Sequence, residues 1–540
     1  MVPEQAMERQ VPTAANGVEE MAVADIAVEM EKTEGRDSNT KCRSNDSSSA
    51  ESVCSFRKEY PQQQQQQQQQ QDGGSDDKVS GDLENEGQLP LRRSQTGFLS
   101  PRLKDHRKKI LRIFLQTNLL LGAVVITVLS IYWGAAYNRD HYMFKVSVLT
   151  VIQDESEVVP VTMTQELPSL ISSVPCTWHV YSQSEFMDEY NVTVDEISDK
   201  VRDLVYGEQY WLALNAKPNA TDDLYNTLLG NTDGNRSFTP DSYFDVWFMS
   251  GRDPSSVRAS ILPNMQTLEN LYANYYRSTY LPQLISNITS RGDQDAATID
   301  PATVINVSDM KFNYIDYRSF YDTVLLSPLQ VGLIYCLLLT FFQLSLFGPL
   351  HAEMAQLLKP KHMIIYRIAI SWLTYFLLSL FFCTVSAIYR INFTLAFGRG
   401  GFVVYWMSTW LLMMALGGAN ENMISVIFVY GPQYLGFWLT TWIVLNISCS
   451  FYPFVLNNQF YRYGYAMPIH NGVDIYKVIF LNLSRHKMGR NYGVLVAWVA
   501  INTACFPFAM KIVGQRIKKQ KEAAAQQQEQ QQLLQASAKS

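Results

Sequence analysis

Long uninterrupted apolar runs decide what this chain can become. A helix that crosses a bilayer needs about 20 apolar residues, at about 1.5 Å rise each, to cover a hydrocarbon core of about 30 Å. Five such runs crowd the last third, at residues 329–350, 365–389, 402–416, 424–448 and 492–513, and one more stands far upstream at 110–132. The expected fold is therefore a polytopic α-helical membrane protein with six transmembrane helices in a one-plus-five layout. A mixed α/β extracytoplasmic domain separates the first two spans, and disordered cytosolic tails lie at either end.

The averages, 47% hydrophobic and 17% charged, conceal this segregation. Five regions are expected: a Ser/Gln-rich tail at 1–100, a polybasic segment with the first span at 101–137, the extracytoplasmic domain at 138–327, a five-helix membrane domain at 328–514, and a Lys/Gln-rich tail at 515–540. The net charge of −6 says nothing about partners, and nucleic acid is not expected among them. Of seven cysteines only Cys176 falls in the middle domain, so that domain must rely on its own core. No cysteine or histidine cluster suggests a metal, and no cofactor is expected.

In the first tail, Ser47 to Ser49 and the glutamine run Gln62 to Gln71 carry too little apolar area to offset chain entropy. Arg92, Arg93, Ser94 and Thr96 fit a basic-directed phosphosite as well as a plain solvated tail. About 110 residues precede the first span, so no cleavable leader is expected and the span serves as a signal anchor. Arg102, Lys104, Arg107, Lys108, Lys109 and Arg112 precede it and should stay cytosolic, also resting on anionic lipid heads.

The middle domain alternates strand and helix signals. Period-two patterning marks a strand at 145–153, with further strands at 176–181, 210–215 and 243–249. Helical spacing marks 193–206 and 222–229, and Asp253 with Pro254 opens a long helix toward Ile285. Five glycosylation sequons, at Asn191, Asn219, Asn235, Asn287 and Asn306, all fall here and agree with a lumenal location.

Beyond the second span, Lys359, Lys361 and Arg367 occupy a cytosolic loop, and a tight turn is expected around Gly417 to Asn422. Parity leaves both termini in the cytosol. The outer loop at 452–490 strains this scheme, because Arg462, Lys477, Arg485, Lys487 and Arg490 lie in it. Part of it, 451–483, is expected to be re-entrant or to lie along the interface.

Within the spans only neutral polar groups are expected: Gln343, Thr440, Thr441, Asn446 and Asn502. Gln343, Asn446 and Asn502 either line a polar path or join neighbouring helices through their amides. Asn420, Glu421 and Asn422, after Gly417 and Gly418, either cap helix ends or couple to a gate. Pro349, Gly431 and Pro432 bend or end helices, as static kinks or as hinges, and Gly417 and Gly418 are further hinge candidates. His351 and Glu353 make a poor metal pair. His470, Asp474 and Lys477 suggest an acid and base grouping or an interfacial anchor. No phosphate-loop motif occurs, so energy for pumping would come from a partner or a gradient.

Several phrases fall in a familiar order: Phe347-Gly348-Pro349-Leu350-His351, Gly417-Gly418-Ala419-Asn420-Glu421-Asn422, Gly431-Pro432-Gln433-Tyr434-Leu435-Gly436-Phe437, Phe460 through Pro468, and Met488-Gly489-Arg490-Asn491-Tyr492-Gly493. Over residues 109–515 the chain resembles the fungal nitrosoguanidine-resistance membrane proteins, the DUF3533 family. The resemblance implies a plasma-membrane protein that confers resistance by exporting toxic small molecules or by shifting lipids and amphiphiles between leaflets. The layout is also similar to phage-infection proteins and to the membrane half of type-2 ABC exporters, which is a likeness of architecture alone. The other reading is a receptor or scaffold that recruits cytosolic partners through its tails. An enzyme is not expected, and the bilayer, phospholipids, toxic small molecules and further copies of the chain are the partners to consider.

Overall fold

The structure, a computed structural model, describes residues 101, 104–230, 237–290 and 299–537. Expectations for residues 1–100 and for Asn235 lie outside the described residues.

Helix α1 (Lys104–Ala136) buries almost nothing along its first two-thirds: Ile113, Phe114, Leu115 and Leu119 are all exposed. A helix apolar all round is stable only where its surroundings are apolar too. Near its last turn it is held by Tyr461, whose hydroxyl donates to the Ile131 carbonyl at 2.7 Å.

Between α1 and the remaining long helices lies a five-stranded sheet of β1 (Ser147–Ile152), β2 (Thr177–Ser182), β3 (Leu212–Ala216), β4 (Phe244–Phe248) and β5 (Asn313–Asp316), in the order β2-β1-β3-β4-β5. All neighbours are parallel except β3 and β4. Helices α2 (Gln183–Tyr190) and α3 (Ile197–Tyr206) cover one face, and α4 (Ala220–Leu228) and α5 (residues 254–290) lie on the other. The alternation of β1 explains this: Val148 joins the core beneath α5, while Leu149 and Val151 join the core beneath α3. Along α5, Tyr272, Tyr276 and Tyr280 are fully buried, and each hydroxyl donates to a backbone carbonyl. Every strand and helix expected in this domain is present, joined by α2 and β5. A box in which Ser182 and Glu185 cap each other's backbone starts α2.

The bundle contains α6 (Thr323–Leu346), α7 (Gly348–Leu357), α8 (Pro360–Ile388), α9 (Gly401–Tyr430), α10 (Leu435–Ser448), α11 (Pro468–Leu481) and α12 (Met488–Ser537). Among the described residues five helices, α1, α6, α8, α9 and α12, are long and apolar enough to cross a membrane. Three expectations are corrected here. The runs 402–416 and 424–448 are not two spans with a turn between them: α9 passes straight through Gly417 to Asn422 and ends at Tyr430. Gly417 and Gly418 are thus helix-interior contacts rather than hinges. A Cβ on Gly417 would stand 2.4 Å from the Tyr375 ring, and one on Gly418 would stand 2.8 Å from the Asn502 Cβ. The chain instead reverses at Gly431, with Pro432 opening the short turn that follows, and Pro349 sits in the first turn of α7. The third correction is that the C-terminal segment expected to be disordered continues α12 as helix through Ser537.

Helix α10 has 14 residues, about 21 Å, too short for a full crossing. Its Asn446 side-chain oxygen accepts from the Ile469 amide at 3.3 Å, so α11 begins deep beside the end of α10. From there α11 runs antiparallel to α9, with Gly472 against Leu412, Tyr476 bonded to Thr409, and Phe480 against Tyr405. Most of α11 is buried.

A single apolar core runs from the α3 face of the sheet into the bundle. Arg318 donates to the Asn482 carbonyl at 3.1 Å, Lys145 donates to the Asn457 carbonyl at 3.3 Å, and Lys487 pairs with Glu208. Of the basic residues that strained the charge count, Lys487 is thus engaged by the domain, Arg485 binds the Ala396 carbonyl and stacks on Phe397 in the stretch before α9, and Arg490 reaches Asp474 of α11 at 4.0 Å.

Candidate functional site

Two places carry chemistry, and both are organised around α9. The first lies toward the end of the bundle away from the sheet. Arg367 sits two turns inside α8, and Glu421 lies about 14 Å from the end of α9. Their nearest nitrogen and oxygen are 3.1 Å apart, with side chains only 8% and 7% exposed. Ser371 donates to the other Glu421 oxygen at 2.9 Å, while Arg367 also donates to Ser425 at 3.2 Å and lies over the Phe506 ring. An ion pair among apolar helices contradicts the expectation that the spans hold only neutral polar groups. The signal was available, since Arg367 lies inside the apolar run that begins at Ile365.

Around this pair the other anticipated residues split into separate contacts. Asn420 donates to Thr340 at 3.0 Å and accepts from the Trp438 indole at 3.1 Å, tying α9 to α6 and α10. Asn422 donates to the Asn502 carbonyl at 3.0 Å, and Asn502 donates to the Ala415 carbonyl at 2.9 Å, tying α9 to α12. Asn446 donates within α10 to Trp442 at 2.9 Å and caps α11 as described. Gln343 is buried with neither amide atom bonded, as are both ring nitrogens of His351 and the hydroxyl of Tyr366. His351 packs edge-on to Tyr366, against α8. A void of about 20 Å³ lies beside Glu421, Asn502 and Tyr375, room for about one water. These residues do not line one continuous tube.

The second place is a cavity of about 220 Å³ where the sheet domain meets the bundle. Trp211, Arg252 and Glu208 come from the domain, Tyr452 to Val455 from the loop after α10, His470, Asp474 and Lys477 from α11, and Lys487 with Arg490 from the start of α12. The grouping of His470, Asp474 and Lys477 thus faces a cavity, with His470 3.8 Å from Asp474. Arg252 stacks on Trp211 at 3.7 Å and donates to the Tyr210 and Glu208 carbonyls. Sequence reasoning missed Arg252 and Glu208, because nothing local announces that two distant loops will meet α12. Among the described residues no group of three or more metal-ligating side chains occurs.

The family model for DUF3533, described as a protein of unknown function, matches residues 117–504. The chain belongs to the DUF3533 family. Its match takes in the Arg367–Glu421 pair and all the cavity residues named above. An uncharacterized endoplasmic reticulum membrane protein of Saccharomyces cerevisiae is 47% identical over 437 residues, covering 79% of this chain and 85% of the relative. No solved structure matches. The DUF3533 chain is thus a fungal-type membrane protein. Neither description mentions resistance to nitrosoguanidine.

Proposed function

We propose that this protein moves amphiphilic molecules, lipids or toxic small compounds, between the leaflets of a membrane, and that resistance to toxic compounds follows from that movement. The observation that carries the reading is the Arg367–Glu421 pair. Charges buried among membrane helices are costly, and where they persist they mark substrate or ion pathways. Buried polar atoms without partners at Gln343, His351 and Tyr366 leave groups free to meet a passing head group or water.

The sheet domain is proposed to face the lumen and both termini the cytosol: five long helices alone would leave the ends on opposite sides, and α10 followed by α11, which both run antiparallel to α9, supply the sixth crossing. Supporting this, the basic start of α1 and the Lys511, Arg516, Lys518 and Lys519 segment of α12 fall outside the sheet-domain end. The four described sequon asparagines, Asn191, Asn219, Asn287 and Asn306, are exposed on that domain and are proposed to carry glycans. The yeast relative favours the endoplasmic reticulum, while the family resemblance pointed to the plasma membrane. The lumen of the one and the exterior of the other are topologically equivalent, so the proposed mechanism is the same in either membrane.

The test is reconstitution into sealed vesicles, following a labelled phospholipid and an alkylating toxin separately. Movement of at least one, absent from empty vesicles, is expected. Movement of neither, with protein shown to be folded, rejects transport by this chain alone.

The amide contacts of Asn420, Asn422 and Asn502 favour a second reading, a scaffold whose helices are locked together. Deleting residues 1–100 separates the two. A transporter keeps its cellular phenotype, whereas a scaffold that recruits through its tail loses it.

A further inference from the structure

The cavity between the sheet domain and the bundle carries unbalanced positive charge. Four cations line it, Arg252, Lys477, Lys487 and Arg490, against three acids, Glu208, Asp253 and Asp474. Most of these charges are committed. Lys487 pairs with Glu208, Arg252 is tied to two carbonyls and the Trp211 ring, and Asp253 accepts from the Ser256 amide at 2.7 Å to cap α5. Asp474 faces His470 at 3.8 Å and Arg490 at 4.0 Å, both at the outer limit of an ion pair. Arg490 otherwise bonds only its neighbour Asn491 and lies over the Tyr465 ring. The ammonium of Lys477 has no hydrogen-bond or ion-pair partner among the described residues.

We propose that this cavity binds the phosphate or phosphonate-like anionic head of an amphiphile, with Lys477 and Arg490 as its cationic contacts. Arg490 presents a fork suited to two anion oxygens, and Lys477 supplies a point charge. The cavity, about 220 Å³ against about 20 Å³ for the void beside Glu421 that takes about one water, has room for a small anionic head group. Two features show where the apolar part goes. Tyr465 stands 44% exposed at the rim, and a smaller void of about 30 Å³ shares Lys477 and Ser450 with the first while reaching Leu326 and Leu329 of α6. For its biological meaning the assignment rests on the reading of the chain as a mover of amphiphiles, but binding is measured without movement.

The experiment uses the full chain in neutral-lipid nanodiscs and reads Trp fluorescence and thermal unfolding. Titrants are inorganic phosphate, a short-chain phosphatidic acid and the matching diacylglycerol. Saturable binding of the phosphatidic acid, weakened at least tenfold by Lys477→Gln and largely restored by Lys477→Arg, is expected, with diacylglycerol inert. If phosphate competes with equal affinity, the anion site stands and its ligand is the free ion; if phosphate is far weaker, the ligand is the lipid head. Lys477→Gln must unfold at the wild-type temperature without titrant; should it not, Arg490→Gln replaces it. No saturable binding of either anion, or equal binding by the folded variant, overturns the assignment. Binding without lipid movement in vesicles would sink transport and keep the site, and movement indifferent to Lys477 would do the reverse.

Discussion

A side-chain oxygen of Glu421 on α9 lies 3.1 Å from a guanidinium nitrogen of Arg367 on α8, without the alignment of a hydrogen bond. Two opposite charges thus neutralise each other in an apolar bundle while one carboxylate oxygen keeps its hydrogen-bonding capacity. Removing one partner strands the other. Glu421→Gln or Arg367→Met alone should cost about 3–5 kcal/mol, whereas a double variant combining Glu421→Leu with Arg367→Met should cost much less. Thermal unfolding of the three variants in nanodiscs checks this. Additive losses in the double variant would show that the pair is not coupled.

Close helix approach makes the glycines of α9 a second test. Gly417→Ala places a methyl 2.4 Å from the Tyr375 ring, so overpacking of about 1–3 kcal/mol should exceed the propensity gain of about 1 kcal/mol. Gly436→Ala on α10 meets nothing within 4 Å and should be neutral or slightly stabilising. Comparison of unfolding temperatures decides the point, and equal effects at the two sites would contradict the packing described.

In the sheet domain, burial raises the Asp154 carboxyl above its ordinary 3.8, although Thr221 and Thr164 donate to it. The folded chain therefore holds this proton to higher pH than the unfolded chain. Its stabilising contribution is complete below the unfolded value and is lost as pH rises through the folded one. Asp154→Asn should flatten the fall in stability that sets in as pH rises past the ordinary Asp value. An unchanged slope in the variant would assign the dependence to other groups.

The sheet domain was legible because its signals are local: β1 is a short run rich in Val, Ile and Thr, buried on both faces, and Asp253 and Pro254 announce α5. The bundle was harder to read. Gly417-Gly418-Ala419-Asn420-Glu421-Asn422 has the composition of a turn in water, yet in a bilayer a break would strand backbone donors, and small residues instead let helices touch. The same sequence therefore continues the helix. Arg367 was assigned to a loop from its charge although it lies in an apolar run, and only the position of Glu421 across the helix pair explains how it is tolerated. The cavity is assembled from α11, α12 and two loops of the domain, and no local pattern encodes such a meeting.

Sidedness underlies the whole account, because cavity and sheet must face the lumen for the head-group site to serve the far leaflet. Protease added to sealed microsomes, with tags at both ends of the chain, measures it most directly. The account predicts that both tags are lost while a fragment containing residues 138–327 survives until detergent is added. Digestion of that region with the tags protected would contradict it.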